Sequence, residues 1–135
     1  MKIITEKTLG NSDAFVFVIE QWVELLQNNL AGHTICFGNA SRVTYGVDDN
    51  NKVIGAVVYN FDTNIREAWI CIAGVAETHR GQGLYSQLIQ EVEKEARNNN
   101  MKFIASNIHI DNEPMIASAK KQNRELMHYR SKKQL

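Results

Sequence analysis

Residues 75 to 96 read VAETHRGQGLYSQLIQEVEKEA, with Arg80-Gly81-Gln82-Gly83 at the entrance to an amphipathic run. A helix whose first turn is built from Gly-x-Gly presents backbone N–H groups with no intrahelical acceptor and no Cβ in front of them. The helix dipole adds positive potential, so such a turn suits an anion, above all phosphate or pyrophosphate, and Arg80 would add a fixed charge. The competing reading is that Gly81 and Gly83 only make a tight strand-to-helix turn. Two other phosphate-binding patterns are excluded by the same residues. A dinucleotide fingerprint needs a third glycine inside a parallel βαβ unit, and a P-loop needs Gly-Lys followed by Ser or Thr. The segment has neither.

The elements that must hold this turn follow from periodicity. Lys2 to Thr8 reads as a first strand, and Asn11 or Ser12 supplies an N-cap for a long helix. Phe15, Val18, Ile19, Trp22, Leu25 and Leu26 recur at helical spacing and predict its core-facing stripe, with an end near Asn28-Asn29. Residues 30 to 42 fit a short helix or a loop equally well. Arg42 to Val47 and Lys52 to Phe61 predict a hairpin across Asp48-Asp49-Asn50-Asn51, and Glu67 to Val75 adds a third antiparallel strand after Asp62-Thr63-Asn64. From Gly83 the period changes. Leu84, Leu88, Ile89, Val92 and Ala96 give a helix ending by Asn98-Asn99-Asn100, with Glu93 and Arg97 paired on its wet side. Lys102 to Ile110 reads as a strand, Pro114 suits the first turn of a helix reaching about Lys121, and Glu125 to Arg130 reads as a last strand. The expected order is β-α-β-β-β-α-β-α-β: an α/β (α+β) fold with a mixed, mostly antiparallel sheet flanked by helices.

Composition narrows the function classes. The 135 residues suit one domain spanning 1–135, and the formal charge is zero, with a basic cluster only at Arg130, Lys132 and Lys133. A surface that tracks nucleic acid is therefore not expected. The N-terminus has no apolar leader segment, and the longest uncharged apolar stretch, Ala68 to Ala76, is far short of a membrane span. A soluble, cytoplasmic protein is the expectation. Cys36 and Cys71 lack CxxC spacing and point to reduced thiols, while His33, His79, His109 and His128 share no ligand spacing, so no metal is expected. Trp22 and Trp69 read as core residues, and His79 flanks the glycine turn.

The run Arg80-Gly81-Gln82-Gly83-Leu84-Tyr85, after a strand ending at Val75 and before an apolar helix, resembles the acetyl-coenzyme A motif of the GNAT N-acetyltransferase superfamily. That motif is written Q/R-x-x-G-x-G/A. Arg80 and Gly83 match it, the accompanying Arg-Gly pair is present as Arg80-Gly81, and Tyr85 stands at the last small position. The element order also fits the superfamily over nearly the whole chain. The resemblance implies acetyl-CoA as acyl donor and an amine, small molecule or protein amino group, as acceptor. It places Arg80, Gly81, Gln82, Gly83, Leu84 and Tyr85 around the pyrophosphate and Ala73 and Val75 along the pantetheine arm, because the strand before the motif splays from its neighbour. Backbone donors there can polarise the thioester carbonyl, an effect worth about 3 kcal/mol in acyl transfer. Asn112, in HIDNEPMIA, resembles the Asn that opens the last helix beside the cofactor, although an N-cap or Asx turn before Pro114 explains it equally well.

A primary amine is mostly ammonium at neutral pH, so the implied reaction needs a base. The resemblance assigns this first to Glu67, thirteen positions before Arg80 on the same strand, where strict alternation puts Glu67, Trp69, Cys71 and Ala73 on one face. The alternative is a solvated strand-end carboxylate. Asp62, His109 or a water chain are the other candidate bases. Many members carry a Tyr seven residues beyond the Asn to protonate the departing thiolate, and this chain has Ala119 there. Ser118 and Tyr129 are the candidate substitutes, and a thiol of pKa about 8.5 leaves tolerably without full protonation. The Gly-Phe pair common after that helix is replaced by Asn123-Arg124. Two functions from different classes follow: an active N-acetyltransferase, or a coenzyme-A-binding interaction protein that kept the fold and lost turnover. Acylation of aminoacyl-tRNA fits poorly with zero net charge. A homodimer is left open.

Overall fold

The computed structural model describes residues 1–30, 37–107 and 113–123. Its elements are β1 (Lys2–Glu6), a 3-10 turn (Leu9–Asn11), α1 (Phe15–Gln27), β2 (Arg42–Val47), β3 (Val53–Asp62), β4 (Glu67–Val75), a second 3-10 turn (Glu77–His79), α2 (Leu84–Asn98), β5 (Phe103–Ser106) and α3 (Glu113–Lys121). The sheet runs β1-β2-β3-β4-β5; the first three pairings are antiparallel and β4 with β5 is parallel. This is the mixed, mostly antiparallel sheet expected. The turn into β3 uses the left-handed conformation foreseen for its polar residues, at Asn51, φ 61°. The expected last strand, Glu125 to Arg130, and the far end of the strand read as Lys102 to Ile110 lie outside the described residues.

Apolar residues on the two faces of the sheet build two cores. On one, Val43, Tyr45, Ala56, Val58 and Ile72 meet Val18 of α1 together with Leu9 and Ala14. On the other, Ile54, Val57, Tyr59, Ile70 and Val75 meet Leu84, Leu88, Ile89 and Val92 of α2. A half-buried ion pair ties α2 to β2: Arg42 Nη2 lies 2.7 Å from Glu95 Oε1, and the same guanidinium stacks over the Phe61 ring at 4.6 Å. The first turn of α2 comes so close to β3 that a Cβ at Gly55 would stand 3.1 Å from both Leu84 Cδ2 and Leu88 Cδ1. Glycine at 55 is what lets the helix N-terminus rest on the sheet.

Three expectations are corrected. The N-cap of α1 is Ala14, not Asn11 or Ser12. Leu9 donates its N–H to Ser41 O at 2.6 Å and the chain turns there, so the Ser12 hydroxyl closes that turn on Leu9 O (2.8 Å) instead of capping the helix. The core stripe of α1 is also rotated. Val18 is buried and Phe17, Trp22 and Leu25 pack beside it, whereas Phe15, Ile19 and Leu26 are exposed. Apolar residues occupy so much of this helix's circumference that period alone could not select the buried strip. Third, strict alternation fails in β4. Ile70 pairs with Tyr59 but Ile72 with Val58, which makes Cys71 the extra residue of a β-bulge. Glu67, Trp69 and Cys71 therefore share the α1 face, and Ala73 turns to the α2 face.

Tyr45 supplies a test of this packing. Burial, reinforced by the Glu6 and Asp13 carboxylates, pushes its phenol from 10.0 up to about 12. Between those values the unfolded chain gives up a proton that the folded chain retains, so stability is undiminished below about pH 10 and falls as pH rises through the window. Tyr45→Phe is expected to flatten that alkaline fall, by up to about 1.4 kcal/mol per pH unit, in urea midpoints compared between about pH 9 and about pH 11.

Candidate functional site

The glycine turn hangs between two buried anchors, Val75 at the end of β4 and Leu84 at the start of α2. Ala76 N–H donates to Ile54 O (2.8 Å), and the 3-10 turn Glu77–His79 reverses the chain. Arg80 then ties the loop down: its Nε donates to Val75 O (2.9 Å) and its Nη2 pairs with Glu24 Oε1 of α1 (3.2 Å). The guanidinium is thus engaged by the protein's own carbonyl and carboxylate. Those two contacts hold the loop in place.

Beyond Arg80 the backbone turns left-handed twice, at Gly81 (φ 77°) and Gly83 (φ 80°). A Cβ at either would meet nothing within 4 Å. The glycines are therefore set by conformation and by the open space above them, not by packing against the protein. Among the described residues, the N–H groups of Gly81, Gln82, Gly83 and Leu84 find no acceptor, and the first bond of α2 is Gln87 N–H to Gly83 O at 3.2 Å. No side chain caps the helix. Donors converging on open space at a helix N-terminus make an anion cradle. A cavity of about 460 Å³ nearby, lined by Asp13, Phe17, Gln21, Val53, Ala76 and Glu77 among others, is on the α1 side and carries carboxylates, so it does not suit the same anion.

The second feature is an edge. Among the described residues, the parallel ladder joins Glu67–Ile70 to Phe103–Ser106, and β4 continues to Val75 paired only with β3. Among the described residues, the other edge of Cys71–Val75, which includes Ala73 and Val75, has no strand against it. The bulge at Cys71 directly follows the last described pair of that ladder, Ile70 with Ser106, and bulges commonly terminate pairing.

The remaining candidates are placed less closely. Glu67 is half-buried at the start of β4, directly opposite Asp62 of β3, and stands four residues, roughly 13 Å of strand, before the bulge. Ser118 is half-buried in α3 beside the buried Ala119, and among the described residues it makes no hydrogen bond to Glu67 or to the loop. Asn112, Tyr129, His109 and Cys36 lie outside the described residues. Sequence reasoning missed the roles of Glu24 and Gly55. Only a long-range contact reveals either, and neither sits in a local motif.

A profile of the acetyltransferase (GNAT) family matches residues 10–123, covering β2 to β5, the glycine turn and α3. The chain belongs to that family. A search of curated protein sequences gives no match. Among solved structures, a tetramutant of the BH1408 protein from Bacillus halodurans superposes with a TM-score of 0.76 at 13% identity, covering 100% of each chain. The ribosomal-protein-alanine N-acetyltransferase of Brucella melitensis biovar Abortus has a TM-score of 0.70 at 15% identity, covering 100% of this chain and 99% of that one. The N-acetylglutamate synthase of Neisseria gonorrhoeae, complexed with coenzyme A and N-acetyl-glutamate, has a TM-score of 0.67 at 11% identity, over 87% of this chain and 28% of that one.

Family membership makes this GNAT domain an acyltransferase of the N-acetyltransferase class, and the family uses acetyl-CoA. Tyr85, at the motif's last small position, lies in the first turn of α2 and packs against the α2-side core. Among the described residues, no helix of the domain is long and apolar enough to cross a membrane.

Proposed function

We propose that this domain transfers the acetyl group of acetyl-CoA to an amine by direct attack in a ternary complex. The observation that carries the reading is the turn Gly81–Gly83, whose N–H groups find no acceptor among the described residues and whose two left-handed glycines have open space where a Cβ would stand. Those donors, continued by Leu84 and Tyr85 at the head of α2, would hold the pyrophosphate. The edge of β4 at Ala73 and Val75 would take the pantetheine arm as an added strand, the same backbone pairing that builds a sheet. A backbone donor beside the bulge would polarise the thioester carbonyl. Glu67 lies too far from the bulge to touch an amine there, so it would take the ammonium proton through water. Asn112 is proposed beside the cofactor, and Ser118 or Tyr129 as the group that returns a proton to the thiolate.

Arg80 and Glu24 give the cradle a graded test. Arg80→Met removes the bond to the Val75 carbonyl and is expected to weaken acetyl-CoA binding about tenfold, the scale of one charge-assisted hydrogen bond. Glu24→Gln loses one exposed ion pair and should change it less than about threefold. Calorimetric titration checks both, and equal losses would contradict the positioning role of the Val75 bond.

One observation favours a second reading, a coenzyme-A-binding protein without turnover: at the position where many members carry the acid Tyr, Ala119 is 2% exposed and offers no proton. Mixing the chain with acetyl-CoA and a panel of primary amines separates the two. Transfer predicts free thiol in proportion to acetylated amine by mass spectrometry. Saturable acetyl-CoA binding with no acetylated product from any amine would establish the second reading instead.

A further inference from the structure

Helix α1 is apolar nearly all the way round, and the sheet uses only one strip of it. Val18 and Leu25 pack into the α1-side core, Gln21 lies against Gly74, and Trp22 meets the Phe37 ring edge-on at 6.1 Å. The strip turned outward is apolar too. Phe15, Ile19, Val23 and Leu26 are between 36% and 43% exposed, and Val16 is 64% exposed. A helix that is apolar on every side belongs in an interior, so one in the outer layer of a single small domain has a face to cover.

The spacing of the outward residues says what would cover them. Val16, Ile19, Val23 and Leu26 are separated by three, four and three positions, the spacing of a seam between two helices packed side by side. That order reads the same in both directions. A two-fold axis crossing α1 at the level of Gln21 therefore sets Val16 opposite the partner's Leu26 and Ile19 opposite the partner's Val23, apolar against apolar at every level. Charge points the same way. From Phe15 to Gln27 the helix has no Lys or Arg, whereas a helix lying on a membrane is rich in both. Its two carboxylates stand off the strip: Glu24 pairs with Arg80 (3.2 Å), and Glu20 lines the cavity that Lys52 also lines. The strip leaves a few hundred Å² of apolar surface, the size at which a patch on a monomer marks a contact site. A stable interface takes about 800 Å² from each partner, with an apolar centre and a polar rim. The strip supplies the centre, and Glu20 and Gln27 stand at its rim.

We propose that the outer face of α1 is the two-fold interface of a homodimer, with the two α1 helices antiparallel. The inference is independent of the acetyl-transfer reading, because the strip lies on the side of α1 away from the sheet and from the β4 edge.

Sedimentation velocity of the full chain, from about 1 to about 100 μM, tests it, since an interface of this size associates within that range. The native chain is expected to reach twice the mass of one chain. Val16→Glu and Leu26→Lys each press a charge against an apolar residue of the partner and should weaken association at least about 100-fold. Both side chains are exposed, so far-UV circular dichroism should stay native. Val16→Ser, which adds no charge, should weaken association about tenfold and serves if a charge at either place unfolds the chain. Mixed one to one, Val16→Glu and Leu26→Lys should recover the dimer, because antiparallel helices set the introduced carboxylate opposite the introduced ammonium. Parallel helices would set Val16 against the partner's Val16 and give no recovery. Lys94→Glu, on the exposed side of α2, should leave the dimer unchanged. A native chain that remains a monomer at about 100 μM, a dimer that survives the α1 substitutions, or a mixture no more associated than its parts would overturn the proposal.

Discussion

Gly83→Trp is expected to leave the chain folded and to erase its stabilisation by acetyl-CoA. A Cβ at 83 meets no protein atom within 4 Å, so the indole has room in the unliganded fold. The left-handed φ of 80° costs a non-glycine residue roughly 1–2 kcal/mol, a loss the native chain's two cores should tolerate. The ring, however, takes up the open space beside the N–H groups of Gly81 to Leu84, which find no acceptor among the described residues. Acetyl-CoA at about 100 times its Kd should stabilise the native chain by about 2.7 kcal/mol, a clear rise in melting midpoint, and the variant by nothing measurable. Gly83→Ala carries the same backbone strain with little bulk and should retain part of the shift. An equal rise in native chain and Gly83→Trp would mean that the cradle is only a turn.

Glu67→Gln should reduce turnover about 100-fold to 1000-fold near neutral pH while leaving acetyl-CoA affinity unchanged. Positioned bases contribute on this scale, and Gln at the same place keeps shape and hydrogen-bonding reach but cannot accept the proton. The pH dependence separates a base from a merely structural carboxylate. An amine with a pKa of about 10.4 supplies more of its own neutral form as pH rises, so the deficit should shrink toward alkaline pH. Native and variant pH–rate profiles that run parallel would remove Glu67 from the chemistry.

The middle of the molecule was legible because local signals there agree with tertiary packing. Arg42–Val47 and Glu67–Val75 have the strand bounds expected, and α2 presents Leu84, Leu88 and Val92 to the core as its period requires. The glycine turn was legible for the same reason, since a residue pair that must be left-handed leaves a compositional mark. What was not legible depends on partners distant in sequence. The helix start at Phe15 follows from Leu9 bonding to Ser41. The switch of face in β4 follows from one extra residue at Cys71, which no alternation pattern announces. Nor does any local pattern announce that the Arg80 guanidinium meets Val75 O and Glu24.

Acetyl-CoA is proposed to lie along the edge of β4 that no described strand covers, with its pyrophosphate on the glycine turn. Backbone amide NMR of the ¹⁵N-labelled chain, titrated with acetyl-CoA, tests it most directly. The largest shifts are expected on the amides of Gly81, Gln82, Gly83 and Leu84, with a second group at Ala73 and Val75. Saturable shifts confined to other residues, or no shift at saturating acetyl-CoA, would contradict it.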